Sequence, residues 1–279
     1  MRHILLLSLL LICYQTEAQT VTCSPLDKET VVSKIGQVQN LENPDFGQTM
    51  VAIGKTFLKT PYVAKTLEIG DTETLVVNLQ GLDCTTFVEN VLAFSLMLKE
   101  DKSSFENFIE TLETIRYKDG NLDGYASRLH YFSEWIANNA EKGLMKDITL
   151  EIGGKEITKD INFMSEHRDL YPFLADDSNF EKIKASEKYL NSRPICVLAQ
   201  DQIADNEHLI QSGDIIALAT SINGLDVTHT GIATREADGR IHLLHASTGS
   251  MEVEVSEKPL EEYLKKVKGN TGIMVARPL

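Results

Sequence analysis

Positive charge is in short supply: 27 Lys and Arg stand against 41 Asp and Glu, a formal net charge of −14. Nucleic-acid binders normally carry a basic stripe that neutralises phosphates, so the balance argues against that class. It argues equally against adhesion to an anionic membrane surface. Long apolar runs are also missing. Beyond the first eighteen residues, no stretch reaches the roughly 18–20 apolar residues that a membrane-spanning helix needs. Cysteine is scarce, with four in 279 residues and no Cys-x-x-Cys pair. A disulfide scaffold and a structural zinc site built from cysteine pairs are therefore unsupported. No internal repeat, low-complexity tract or Pro/Gly/Ser linker divides the chain. What is present suits an acidic globule: 42% hydrophobic residues supply a core, and 24% charged residues are too few for long disorder.

The N-terminal residues read as a secretory signal. Met1-Arg2-His3 forms a short positive region, Ile4 to Cys13 an apolar run, and Thr16-Glu17-Ala18 places small residues at −3 and −1 of a cleavage site. Ile12 does not suit lipid attachment at Cys13. The expectation is a signal peptide at 1–18 and export, to the periplasm. Residues 19–279 are expected to form a single catalytic domain with an insertion at about 119–192. Cleavage leaves Cys23, Cys84 and Cys196, an odd set that allows one disulfide and one free thiol, or no disulfide.

Periodicity predicts a helix-rich first half. Thr30–Val38 and Thr49–Leu58 are amphipathic, and the second stops at Thr60-Pro61. Thr72–Leu79 reads as a strand. Phe87, Val88, Val91, Leu92 and Phe94 mark a buried helix, and Ser104–Tyr117 and Leu129–Asn138 two more. Ile148–Ile152 and Lys155–Thr158, joined at Gly153-Gly154, are expected to form a polar hairpin, followed by an irregular stretch to about Asp177 and a helix through Lys188. Strands are expected at Pro194–Leu198, Asp214–Thr220, Thr228–Thr234, Ile241–His245 and Gly272–Ala276, with a helix near Pro259–Val267. Helices early and hairpin-linked strands late predict an α+β fold with a largely antiparallel sheet.

Two clusters carry chemistry. Asp83-Cys84-Thr85-Thr86 sits where the Gly81 turn meets the buried helix. With Asp83 as N-cap, Cys84 falls in the first helical turn, where free N–H groups and the helix dipole favour a thiolate and lower its pKa. The alternative is an ordinary buried cysteine. The second cluster runs from Thr228-His229-Thr230-Gly231 through a turn to Ile241-His242-Leu243-Leu244-His245. A three-residue Ala237-Asp238-Gly239 turn sets Gly231 opposite His245 and puts His229 on its face as diagonal neighbour. A two-residue Asp238-Gly239 turn would instead pair His229 with His242.

The order Asp-Cys-Thr-x-Phe-Val, His-x-Gly-Ile, a Asp-Gly turn and Leu-His-Ala-Ser resembles the NlpC-type papain-like peptidoglycan hydrolases. Thr60-Pro61-Tyr62 and Ser212-Gly213-Asp214 are similar to two further motifs of that superfamily. Lys59 and Lys65 replace glycines common around the first, and Thr85-Thr86 replaces Ser-Gly after the cysteine. The stretches Tyr125-Ala126-Ser127-Arg128-Leu129-His130-Tyr131 and Phe163–Leu174 resemble the branch of N-acetylmuramoyl-L-alanine amidases, in which helical insertions narrow the substrate cleft.

The resemblance implies a papain-like fold, with a nucleophile at the N-terminus of a buried helix packed on the sheet, and helical and hairpin insertions. It implies catalysis by Cys84, His229 and His245: a thiolate stabilised by His229 as an ion pair, His229 then protonating the leaving amine, and His245 orienting its ring. Tyr62 and the Cys84 N–H are the implied oxyanion donors. Asp83, Tyr125, Ser127 and Arg128 are the implied substrate contacts. Arg128 would grip a stem-peptide carboxylate, unless it is a plain exposed arginine, and Tyr125 and Tyr131 would flank a sugar.

The expected reaction is hydrolysis of the amide between N-acetylmuramic acid and L-Ala in muropeptides. No metal or cofactor is required and no protein partner is implied. Three alternatives stand beside it. One is a γ-D-glutamyl-diamino-acid endopeptidase, in which Asp83 binds a free amine; another is a zinc hydrolase using Cys84, His229 and His245. The third is a silent glycan- or peptide-binding module.

Overall fold

The computed structural model describes residues 21–41 and 45–279; the expected signal peptide at 1–18 lies outside them. Along the chain run β1 (Val21–Cys23), α1 (Pro25–Val38), α2 (Phe46–Lys55), β2 (Leu75–Val77), α3 (Cys84–Lys99), α4 (Phe105–Arg116) and α5 (Phe132–Glu141). Then follow β3 (Met145–Asp147), β4 (Lys155–Ile157), α6 (Phe163–Glu166), α7 (Asp177–Leu190), β5 (Ile195–Ala199) and α8 (Ile203–Asn206). The last part comprises β6 (Ile215–Thr220), β7 (Val227–Arg235), β8 (Ile241–Ser247), β9 (Glu252–Val255), α9 (Leu260–Leu264) and β10 (Asn270–Pro278).

The late strands form an antiparallel sheet in the order β4-β5-β10-β6-β7-β8-β9, with β3 also paired to β10. Period-two alternation sends its side chains into two cores. Ile215, Ala217 and Ile232 join the core that contains α3, while Ile216, Leu218 and Leu243 pack with Leu260 and Leu264 of α9. The fold is α+β, as the pattern of elements predicts.

Helix α3 is enclosed on most of its surface. Phe87, Val88, Val91, Leu92 and Phe94 have no exposure at all, and α2, α4, β7 and β8 pack around it. A polar bond runs through that core. The Arg116 guanidinium of α4 donates to Glu89 of α3 at 2.7 Å and to the Val76 carbonyl at 2.6 Å. A third apolar cluster lies under residues 125–190 and includes Tyr125, Tyr131, Met164, Phe173, Leu174 and Ile183.

Several boundaries differ from the sequence reading. Helix α1 begins before Thr30 because Ser24 caps it, accepting the Asp27 N–H, with Pro25 at the first helical position. Helix α5 begins after Leu129, whose N–H is drawn to the Arg116 carbonyl. The run Thr72–Leu79 yields only the three residues of β2, which pair in parallel with β1. The hairpin expected over Ile148–Thr158 does not form. Ile148 and Ile152 instead lie one helical turn apart, linked by the Ile152 N–H to the Ile148 carbonyl, and both are buried. Gly153 and Gly154 close that turn, and Lys155–Ile157 pairs with β5. Burial of two isoleucines four residues apart outweighs the local strand pattern.

Candidate active site

Cys84 opens α3. Asp83 is the N-cap and closes a capping box: its carboxylate accepts the Thr86 N–H at 2.8 Å, and the Thr86 hydroxyl accepts the Asp83 N–H at 2.9 Å. Thr86, one of the two departures from Ser-Gly, thus anchors the cysteine's helix. Thr85, the other, and Thr230 on β7 lie where their hydroxyls and the Thr230 N–H favour the ionised sulfur. The Thr230 hydroxyl also lies 3.0 Å from the Cys84 carbonyl.

These donors favour a thiolate, but they do not prevail. Burial of the thiol, reinforced by the neighbouring Asp83 carboxylate, pushes its pKa up to about 11. The lowered pKa expected from the helix dipole is therefore corrected. In the resting protein, desolvation outweighs dipole and hydrogen bonds.

The strand β8 faces β7 in the three-residue-turn register. Ile232 pairs with Leu244 and Thr234 with His242, and the Gly239 N–H closes the turn onto the Glu236 carbonyl. His229 Nε2 lies 2.6 Å from His245 Nδ1. Gly231 makes room for this pair: a Cβ there would lie 2.8 Å from Leu243 Cδ1 and 2.9 Å from His245 Cβ. Burial lowers the His229 pKa to about 4, and burial together with His229 lowers that of His245 to about 3. Both imidazoles are neutral near pH 7. His242 points elsewhere, its Nδ1 2.7 Å from the Ser256 carbonyl and its Nε2 3.0 Å from Asp238.

Tyr62 is held beside Cys84 by main-chain bonds. Its strand-like segment is pinned to Leu82 through the Leu82 N–H to Pro61 and the Val63 N–H to Leu82, and to Met251 through its own N–H. Lys59 and Lys65 both have positive φ, 70° and 59°, a conformation that glycine adopts without steric cost. Burial, then the charges of Cys84 and Asp83, push the Tyr62 hydroxyl up to about 12.

Tyr125, Ser127 and Arg128, the expected substrate contacts, are each engaged within the protein. Arg128 is buried, 2.7 Å from Glu68 and 3.1 Å from Glu73. Tyr125 is buried in a stack on Phe173 at 5.0 Å. The Ser127 hydroxyl bonds within its own turn, to the Gly124 carbonyl and from the Asp123 N–H. Tyr131 is buried as well, bonded to Glu187 and to the Met164 N–H. Apolar burial of the aromatic rings draws this segment inward, and the arginine meets two carboxylates of the 60–74 loop.

Sequence reasoning missed Thr85, Thr230, Tyr263 and Glu254. Thr230 lies within the His-x-Gly motif and could have been found there. The Tyr263 ring crosses His245 edge-on at 5.3 Å, and its pKa is raised by burial and by the charges of Glu254 and Cys84. Among the described residues, no three His, Cys, Asp or Glu side chains converge as metal ligands would. Cys23, Cys84 and Cys196 are free thiols.

The profile of the AmiA-like family, described as N-acetylmuramoyl-L-alanine amidase-like, matches residues 52–273. The chain belongs to the AmiA-like family. A solved N-acetylmuramoyl-L-alanine amidase from Bacteroides uniformis is 41% identical over 84% of this chain and 99% of its own, with a TM-score of 0.80. A Bacteroides fragilis protein named provisionally as a xylanase is 42% identical over 80% of this chain and 98% of its own, at a TM-score of 0.76. A Legionella pneumophila protein, 20% identical over 91% of this chain and 95% of its own at a TM-score of 0.67, shares the fold. No curated protein matches the chain. For this AmiA-like chain, no helix among the described residues is long and apolar enough to cross a membrane.

Proposed function

We propose that this AmiA-like protein is an exported, periplasmic cysteine amidase with a papain-like catalytic domain. Its reaction is hydrolysis of the bond between the lactyl carbonyl of N-acetylmuramic acid and the nitrogen of L-Ala in muropeptides. The observation that carries the reading is the meeting of two contacts on adjacent residues of β7. The Thr230 hydroxyl donates to the Cys84 carbonyl, and His229 beside it is hydrogen-bonded to His245.

The raised thiol and the lowered imidazole favour a neutral pair at rest over a preformed ion pair. With Nε2 engaged by His245, His229 offers Nδ1 as base. The Cys84 sulfur attacks the carbonyl carbon as its proton passes to Nδ1. The oxyanion is held by the Cys84 N–H, which has no intrahelical acceptor, and by the Tyr62 hydroxyl. Collapse breaks the C–N bond, and His229 returns the proton to the departing L-Ala nitrogen. Water, deprotonated by the same imidazole, then hydrolyses the thioester. The segment 119–192, an insertion in this reading, acts through Arg128 to hold the loop that carries Tyr62.

Asp83 keeps the endopeptidase reading in view, because the capping bonds use only its Oδ1. Mass spectrometry of a muropeptide digest separates the two. The amidase releases an intact stem peptide beginning with L-Ala; the endopeptidase releases L-Ala-D-Glu. A zinc site on the same residues is disfavoured because His229 Nε2 and His245 Nδ1 point at each other. Chelator-sensitive, iodoacetamide-resistant turnover would reverse that judgement.

A further inference from the structure

The ring of His245 has two nitrogens, and the site described above uses one. Nδ1 meets His229, whereas Nε2 is buried and makes no hydrogen bond. A fully buried ring nitrogen left without a partner is unfavourable. Directly opposite His245 on β9 stands Glu254, whose Oε1 lies 3.9 Å from that Nε2. His245 and Glu254 pair across β8 and β9, Gly231 of β7 lies against His245, and His229 is hydrogen-bonded to it. Around Glu254 stand Tyr263, whose ring crosses His245, and the exposed Lys59 ammonium, which is paired to Glu252.

The His229–His245 bond holds a single proton, and its position decides which nitrogen of His229 is basic. With His229 protonated on Nε2, Nδ1 keeps its lone pair and can take the thiol proton. His245 must then accept at Nδ1 and carry its own proton on Nε2, toward Glu254. In the other arrangement His229 is protonated on Nδ1 and cannot act as base there, and the bare Nε2 of His245 faces a carboxylate, lone pair against lone pair. We propose that Glu254 is a positioning residue that selects the first arrangement by accepting the Nε2 proton of His245. When His229 takes the thiol proton, the same carboxylate stabilises the charge carried by the histidine pair. This rests on the assignment of His229 as the base.

The test pairs a measurement that needs no substrate with one that does. Ring nitrogen NMR shifts of histidine-labelled wild-type protein near pH 7 should show His245 protonated on Nε2 and bare on Nδ1. Glu254→Ala should lower kcat about tenfold or more with KM within about twofold of wild type. Glu254→Gln is nearly isosteric and keeps an acceptor carbonyl, so it should hold the Nε2–H form and recover part of the loss. Removing the exposed carboxylate of Glu262 on α9 should change neither reading. A wild-type His245 protonated on Nδ1, or a folded Glu254→Ala with kcat within about twofold of wild type, overturns the proposal. Should the wild type fail to turn over muropeptides, the amidase reading fails and the nitrogen shifts alone decide this one.

Discussion

At the residue scale, each member of the site makes a different demand. Replacing Cys84 by Ala or Ser should remove turnover by ~10³-fold or more with the fold intact, because a Ser hydroxyl is a far poorer nucleophile beside the same imidazole. Residual activity above about one per cent would count against the nucleophile. His229→Ala should cost as much, since it removes both base and acid. His245→Ala should cost ~10–10³-fold, because that ring orients without transferring the substrate proton. His242→Ala should be nearly silent toward turnover, its nitrogens being engaged by Ser256 and Asp238.

The pH profile tests the neutral pair. His229 serves as base only while unprotonated, so kcat/KM should hold through the neutral range and fall on the acid side with a midpoint at about 4. An acid limb near the ordinary histidine value of 6.5 would mean that burial does not depress this imidazole.

At the element scale, the placement of α3 matters most, and it depends on a buried ion pair. Arg116 and Glu89 are each 2% exposed and tie α4 to α3. Glu89→Ala would leave the guanidinium buried without its partner, a loss of ~3–5 kcal/mol that a denaturant titration would read. Gly231 performs the matching task in the sheet. Gly231→Ala would drive a methyl group against Leu243 and His245. The expected result is a lower kcat in a protein that still folds, since the side chain displaced, His245, is hydrogen-bonded to His229.

Here the sequence was only partly legible. The apolar stripe of α3 and the Asp83 cap follow from local spacing, which also narrows the hairpin to two registers. The false hairpin at 148–158 shows the limit: the burial that turned Ile148 and Ile152 into a helical turn comes from strands and helices far along the chain. Arg128 shows it again. Nothing near it in sequence announces Glu68 and Glu73, so a ligand carboxylate and an internal one look alike until the chain is folded.

At the scale of the whole molecule, burial rather than cross-linking holds the described residues together. Cys23 sits in the β1–β2 pair and Cys196 in the large sheet, and both are free thiols. Reductant should therefore leave the melting temperature unchanged in calorimetry, and unreduced, denatured protein should label at Cys23, Cys84 and Cys196. A shift of several degrees on reduction would reveal a cross-link that this fold does not need.

The sequence by itself determined the α+β class and the position of Cys84 at a helix start, and it narrowed the partner of His229 to His245 or His242, because caps, helical stripes and hairpin turns are encoded within a few residues. Tertiary structure alone decided the ionisation of the thiol, the inward fate of Tyr125 and Arg128, and the place of Glu254 behind His245. Those depend on desolvation and on partners brought from distant segments, and neither is written in local spacing.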